Sequence, residues 1–252
     1  MIGLLSSEWL RMRSRRLVRV LALLALLGIV AAVVIAAVQS KPPSPLRLSE
    51  LPDILRGTAF VAILIGLVIG ASAVGASWQT GTMTTILAWE PRRTRVALVR
   101  AAVVAVGTAV LIAALLGVFI ALYWIATSLR GLTATPDGWA SETAGVVGRI
   151  SALAGTASII GGAIAMVGRN TTAALGGVFV YLTVLEGILR GLRPALGRFL
   201  LGDNIATLVI GDSIATGDGK MITPSRAAVV VAVYALGLLA VGTASFRVRD
   251  VQ

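Results

Sequence analysis

Six apolar stretches, each long enough to cross a bilayer, dominate this chain: residues 17–38, 57–77, 96–126, 143–167, 171–189 and 227–246. A helical span needs about 20 apolar residues. The mean hydropathy is +0.94, with 57% hydrophobic and only 13% charged residues. A soluble domain of 252 residues with that balance could not cover its surface with polar groups. The expected fold is an all-α polytopic membrane protein, a single transmembrane domain over residues 1–252 with six transmembrane helices. An amphipathic elbow helix precedes the first span, a short cytoplasmic helix lies between spans two and three, and an outer helical region precedes span six.

Composition also excludes chemistry. The chain has no cysteine and no histidine, so disulfides, thiolate or imidazole metal sites and histidine-based catalysis are excluded. No GxxxxGK[ST] phosphate loop is present, so the chain does not bind ATP in that way. No carboxylate cluster has metal spacing, and neither a metal nor a catalytic residue is expected. The net charge of +11 admits nucleic-acid binding or the positive-inside rule. The hydropathy assigns it to membrane topology, with lipids and not nucleic acid as the partner.

Residues 1–16 place Ile2, Leu5, Trp9 and Met12 at helical spacing, with Ser6, Ser7, Glu8, Arg11 and Arg13 largely elsewhere. That pattern suits an elbow helix in the headgroup layer; a plain basic flank of the first span is the alternative. The run 17–38 exceeds the apolar core of a signal peptide and ends in AVQSK, so it is read as a span. Residues 41–56, with Pro42, Pro43, Pro45 and Pro52, read as a loop with one short surface turn. The second span carries Gly66, Gly70 and Gly75, whose small-residue spacing allows close helix approach in lipid. The third run is longer than a bilayer needs and must tilt or protrude. Residues 127–142 form a polar loop, 168–170 a tight turn, and 190–226 a long polar region with one or two short helices.

Arginines set the orientation. Arg11, Arg13, Arg15, Arg16, Arg19, Arg92, Arg93, Arg95, Arg100, Arg169, Arg247 and Arg249 fall on one side, with only Glu8, Glu90 and Asp250 as acids. Both termini and the segment 78–95 are therefore expected in the cytoplasm. Near the outer ends of the fourth and fifth spans the ionisable candidates are Arg149, Glu186 and Arg190. Glu186 and Arg190 are four apart, close enough to pair on one helix face. All three lie near an interface, where snorkelling lowers the cost of a charge.

The segment 78–95 stands apart from the other connections. Met83, Ile86 and Leu87 fall on one face of a short helix, with Thr82 and Thr85 beside them. Pro91 stops it, and Arg92, Arg93 and Arg95 tie its exit to headgroups. Such a helix suits a groove on a partner protein; an ordinary interfacial loop is the alternative.

The string GASAVGASWQTGTMTTILAWEPRR resembles the corresponding stretch in permease subunits of type-2 ABC exporters: a glycine-rich second span, a Trp, a GTM-T-I-L run, then Pro and arginines. That family often has an acidic residue where this chain has Ser77 or Gln79. The elbow, the six spans and the outer region before the last span match its layout. The resemblance implies a permease dimer, a homodimer first and a heterodimer as the alternative, in the bacterial inner (plasma) membrane. It implies a separate ABC ATPase subunit that carries ATP and Mg, leaving no cofactor and no enzymatic activity on this chain. It also implies that 82–90 is a coupling helix. The docking residues would be Thr82, Met83, Thr84, Thr85, Ile86, Leu87, Trp89, Glu90, Arg92 and Arg93. An apolar pathway suits lipids, peptides or drugs, and a polar cargo could use a transient dimer cavity. The rival classes are an ion-coupled secondary transporter and a non-transporting scaffold or immunity protein.

Overall fold

The computed structural model describes residues 2–40, 45–79 and 93–248. Residues 82–90 and Arg92, and with them every docking residue but Arg93, lie outside that set. The described chain is almost entirely helical: α1 (Ile2–Ser14), α2 (Arg16–Gln39), α3 (Leu51–Gln79), α4 (Arg93–Arg130), α5 (Trp139–Gly168), α6 (Thr171–Val180), α7 (Glu186–Leu192), α8 (Leu201–Ile210) and α9 (Pro224–Val248). Among the described residues six helices are long and apolar enough to cross a membrane: Arg16–Gln39, Leu48–Trp78, Arg93–Leu129, Trp139–Gly168, Thr171–Leu192 and Pro224–Arg247. The protein is an all-α polytopic membrane protein.

Helix α5 is the hub. In its most apolar window 72% of residues are buried, against 6% in α2, so α5 fills the centre while α2 faces lipid. Lipid supplies no hydrophobic force between helices, and close backbone packing does that work instead. Gly66 and Gly70 of α3 face Ala154 and Ser158 of α5. A Cβ on Gly66 would stand 2.2 Å from the Ala154 carbonyl oxygen, and one on Gly70 would stand 1.9 Å from that of Ser158. The seam is reciprocal, since a Cβ on Gly161 would meet the Leu67 carbonyl at 2.4 Å. Gly155 makes a similar approach to Ala105 of α4, and Gly242 of α9 to Ala163.

The helices outrun the apolar stretches. The second span begins at Leu51 rather than residue 57, so the tail of the expected 41–56 loop is helical. Pro52 falls in the first turn, where its missing N–H costs no bond, and Leu51 and Leu55 are fully buried. Helix α4 has 38 residues, about 57 Å at 1.5 Å per residue, well beyond the ~30 Å hydrocarbon core. Helix α5 starts at Trp139 and so takes in the end of the expected 127–142 loop. The fifth span continues to Leu192, its halves α6 and α7 joined by a π-helical turn, Tyr181–Leu185. In the region 190–226 the structure forms a 3₁₀ turn (Pro194–Phe199), α8 and an antiparallel hairpin of β3 (Ile214–Ala215) and β4 (Met221–Ile222). The sequence reading had only short helices there. The hairpin forms because Gly219 takes positive φ (77°) and Asp218 ties the turn to Lys220.

The bundle has two distinct ends. At the first, α1 meets α3 and α4, and Trp78 stacks edge-on against Phe246 of α9 (5.8 Å) and under Arg169 (4.6 Å). Arg169 occupies the left-handed region (φ 50°) in the tight turn from α5 to α6. At the other, distal end, β1 (Leu46–Arg47) pairs in parallel with β2 (Gly131–Leu132). There Trp139 Nε1 donates to the Leu48 carbonyl (3.0 Å), and Arg56 bridges Asp53 and Glu142.

Candidate functional site

At the α1 end the chain buries charge. Glu8 is 5% exposed and Arg100 2%. Arg100 Nε donates to Glu8 Oε2 and Nη2 to Oε1, each at 3.1 Å, a two-pronged pairing of α4 with α1. Arg100 Nη1 reaches Ser77 Oγ at 3.4 Å, and Arg11 Nη1 reaches Glu8 Oε1 at 3.2 Å. Arg15, in the break between α1 and α2, donates from Nη1 to the Ser72 carbonyl (3.0 Å) and from Nη2 to that of Ala73 (3.1 Å). Burial, and after it the like charge of Arg100, lowers the Arg15 pKa from the ordinary arginine value, with Glu8 opposing.

Apolar contacts complete this joint. Met12 is buried with Val18, Ile69, Ala73 and Val104. A Cβ on Gly107 would stand 2.3 Å from Met12 Sδ, so the absent side chain makes the socket. Met12 of the expected apolar face is buried here, and Glu8, expected off that face, is buried with it. Glu8 and Met12, four apart, point into protein, while Leu5 and Trp9 are partly exposed at 43% and 37%. Helix α1 therefore rests on α4 rather than on lipid alone, because one carboxylate among its arginines can neutralise the buried Arg100.

A second feature lies towards the distal end. A groove of about 660 Å³ runs between α3, α5, the fifth span and α8. Its walls are apolar, with Phe60, Leu64, Leu67, Ile160 and Leu182 among them, and its polar residues include Arg56, Thr183, Glu186, Arg190 and Asp203. Glu186 is 1% exposed, and both its oxygens accept from the Gly202 N–H at 3.1 Å. Leu200, the residue that caps α8, offers no side-chain acceptor. Glu186 supplies that acceptor from a neighbouring span, at a helix N-terminus where a carboxylate is favoured. A Cβ on Gly202 would lie 2.5 Å from Glu186 Oε2, so a larger residue there would make the carboxylate shift. Beside it the Tyr181 and Tyr234 hydroxyls meet at 2.8 Å, and Tyr234 donates to the Phe199 carbonyl (3.2 Å), linking spans five and six to the 3₁₀ turn.

The structure separates residues that spacing had paired. Arg190 does not bond Glu186; its Nη2 binds Asp203 of α8 at 2.6 Å. The carboxylate of Glu186 is taken up by backbone, which leaves Arg190 to the nearer acid on α8. Arg149 is half-buried with its guanidinium against Gly211, at the C-terminus of α8, where a helix dipole favours a cation. Gly66 and Gly70 lie in the α3–α5 seam, and Gly75 faces Thr171 at the start of α6. Arg93 Nη1 donates to the Phe246 carbonyl at 3.4 Å, so it reaches α9 at the α1 end.

Sequence reasoning passed over Glu8, Arg15, Arg100 and Asp203 as site residues. One signal was present: Arg100 is the single charge within residues 96–126, and an ionisable residue in an apolar run calls for a partner. Asp203 had no comparable mark. Neither a protein-family model nor a curated protein matches this chain.

Proposed function

We propose that this chain is the membrane-spanning permease subunit of an ATP-driven exporter, working as a dimer with a separate ATPase that carries ATP and Mg. In this reading the α1 end faces the cytoplasm of a bacterial inner membrane. Among the described residues Arg11, Arg13, Arg15, Arg16, Arg19, Arg93, Arg95, Arg100, Arg169 and Arg247 gather there, with Glu8 as the acid.

The observation that carries the reading is the buried Glu8–Arg100 joint. It fastens α1 to α4 close to where the chain enters from 80–92, and through Arg15 and Ser77 to the end of α3. A push delivered to that connection moves α1, α3 and α4 together, as a coupling element needs. The resemblance expects an acid near Ser77 or Gln79; here Glu8 brings a carboxylate to the same place from α1. The apolar groove with polar residues at one end suits an amphiphilic cargo.

The test is association with the ATPase. Met83→Asp or Ile86→Asp is expected to abolish co-purification of a phosphate-loop ATPase with this chain, and undiminished association overturns the docking claim. The buried carboxylate of Glu186 favours a second reading, ion-coupled transport. That reading predicts gradient-driven uptake by this chain alone in liposomes.

A further inference from the structure

Two cavities meet at one ion pair. Arg190, Asp203 and Ala206 line the apolar groove, and the same three residues also line a smaller cleft of about 170 Å³ at the distal end. The rest of that cleft comes from the 3₁₀ turn and the hairpin, with Gly197, Thr216 and Ile222 among its residues. The Arg190–Asp203 pair therefore borders both the groove and the cleft. It joins two separate elements, the end of the fifth span and α8. The side chains are 50% and 27% exposed, so both charges can be reached. The neighbouring charges are engaged elsewhere: Arg56 with Asp53 and Glu142, and Glu186 with Gly202. Arg190 and Asp203 answer one another across the opening.

We propose that the Arg190–Asp203 pair is the distal gate of the groove, and that an amphiphile with one cationic and one anionic group in its head opens it. The tail fills the groove, its anionic group takes Arg190, and its cationic group takes Asp203. A head of one sign satisfies only one partner and leaves the other charge unpaired. The assigned head chemistry deepens the exporter reading and rests on it for its purpose, but the gate is a property of this chain alone.

The chain lacks cysteine, so a single introduced thiol reports on the gate directly. Thr183 lines the groove together with Arg190, seven residues before it in the fifth span. The Thr183→Cys protein, reconstituted in phosphatidylglycerol vesicles without any ATPase, is exposed on both faces to a membrane-impermeant thiol reagent. Slow labelling is expected. Adding Asp203→Asn should raise the rate about tenfold, as loss of roughly 1.4 kcal/mol of closing free energy does. The exchange Arg190→Asp with Asp203→Arg should return it to the slow rate, which a merely misfolded variant would not do. A single-tailed phosphocholine should accelerate labelling of the Thr183→Cys protein, and a single-tailed phosphate monoester should not. An unchanged rate in Asp203→Asn, or fast labelling in the exchanged pair, overturns the gate. Equal response to the two lipids overturns the assigned head chemistry. Loss of ATPase association bears on the exporter reading and leaves these outcomes untouched.

Discussion

Replacing Glu8 with Gln keeps the shape of the α1 joint and removes its negative charge. Arg100 then stays 2% exposed, beside Arg11 and Arg15, without the Glu8 carboxylate. Two charge-assisted bonds of 3.1 Å are weakened, each worth about 1.5–3 kcal/mol. Breaking a buried pair by removing one partner costs about 3–5 kcal/mol, and that is the expected loss for Glu8→Gln and for Arg100→Met alone. The double variant removes both charges and should cost far less than the sum, giving a coupling of at least about 2 kcal/mol. Arg47–Glu50 supplies the control, since it is 4.0 Å long with side chains 54% and 58% exposed. Its loss should cost no more than about 1 kcal/mol. Reversible unfolding in mixed micelles measures all four proteins, and limited proteolysis reports whether α1 has come away from α4. Single variants no worse than the Arg47–Glu50 control, or a double variant equal to the sum, would refute the reasoning.

Three further outcomes follow from particular contacts. Gly70→Ala must push α3 from α5 because its Cβ lands 1.9 Å from the Ser158 carbonyl, costing about 1–3 kcal/mol or more in the same unfolding assay. Gly237→Ala meets nothing within 4 Å and should be neutral or stabilising by up to about 1 kcal/mol; equal effects at both sites refute the seam. Glu186→Ala leaves the N-terminus of α8 without its acceptor and should cost about 0.5–2 kcal/mol, read as faster amide exchange at Gly202; unaltered exchange counts against the cap. Hydrogen bonding from the Thr216 hydroxyl, first among its causes, holds the Asp218 carboxyl below the usual aspartate range. The hairpin's gain is thus present above the unfolded aspartate value and lost as pH falls through the depressed folded value. Thr216→Val should raise the Asp218 midpoint in a carboxyl NMR titration, and an unmoved midpoint contradicts the assignment.

The sequence by itself determined that this chain crosses a membrane six times. A run of about 20 apolar residues is long enough to cross the hydrocarbon core as a helix, and the order of the spans follows from the chain. It also marked Gly66 and Gly70, because a spacing of four puts small residues on one helix face wherever that helix packs. Charge partners were not determined. Arg190 has Glu186 four residues away and instead pairs with Asp203, because Glu186 is drawn to the bare N-terminus of α8. Glu8 looked like one more polar residue of a surface helix, yet it neutralises Arg100, ninety-two residues away in the chain. Helix periodicity reports which residues share a face, and it contains nothing about what that face meets. Which charges meet, and which ion pair borders both the groove and the distal cleft, was decided by how six spans and the segment after the fifth pack in three dimensions.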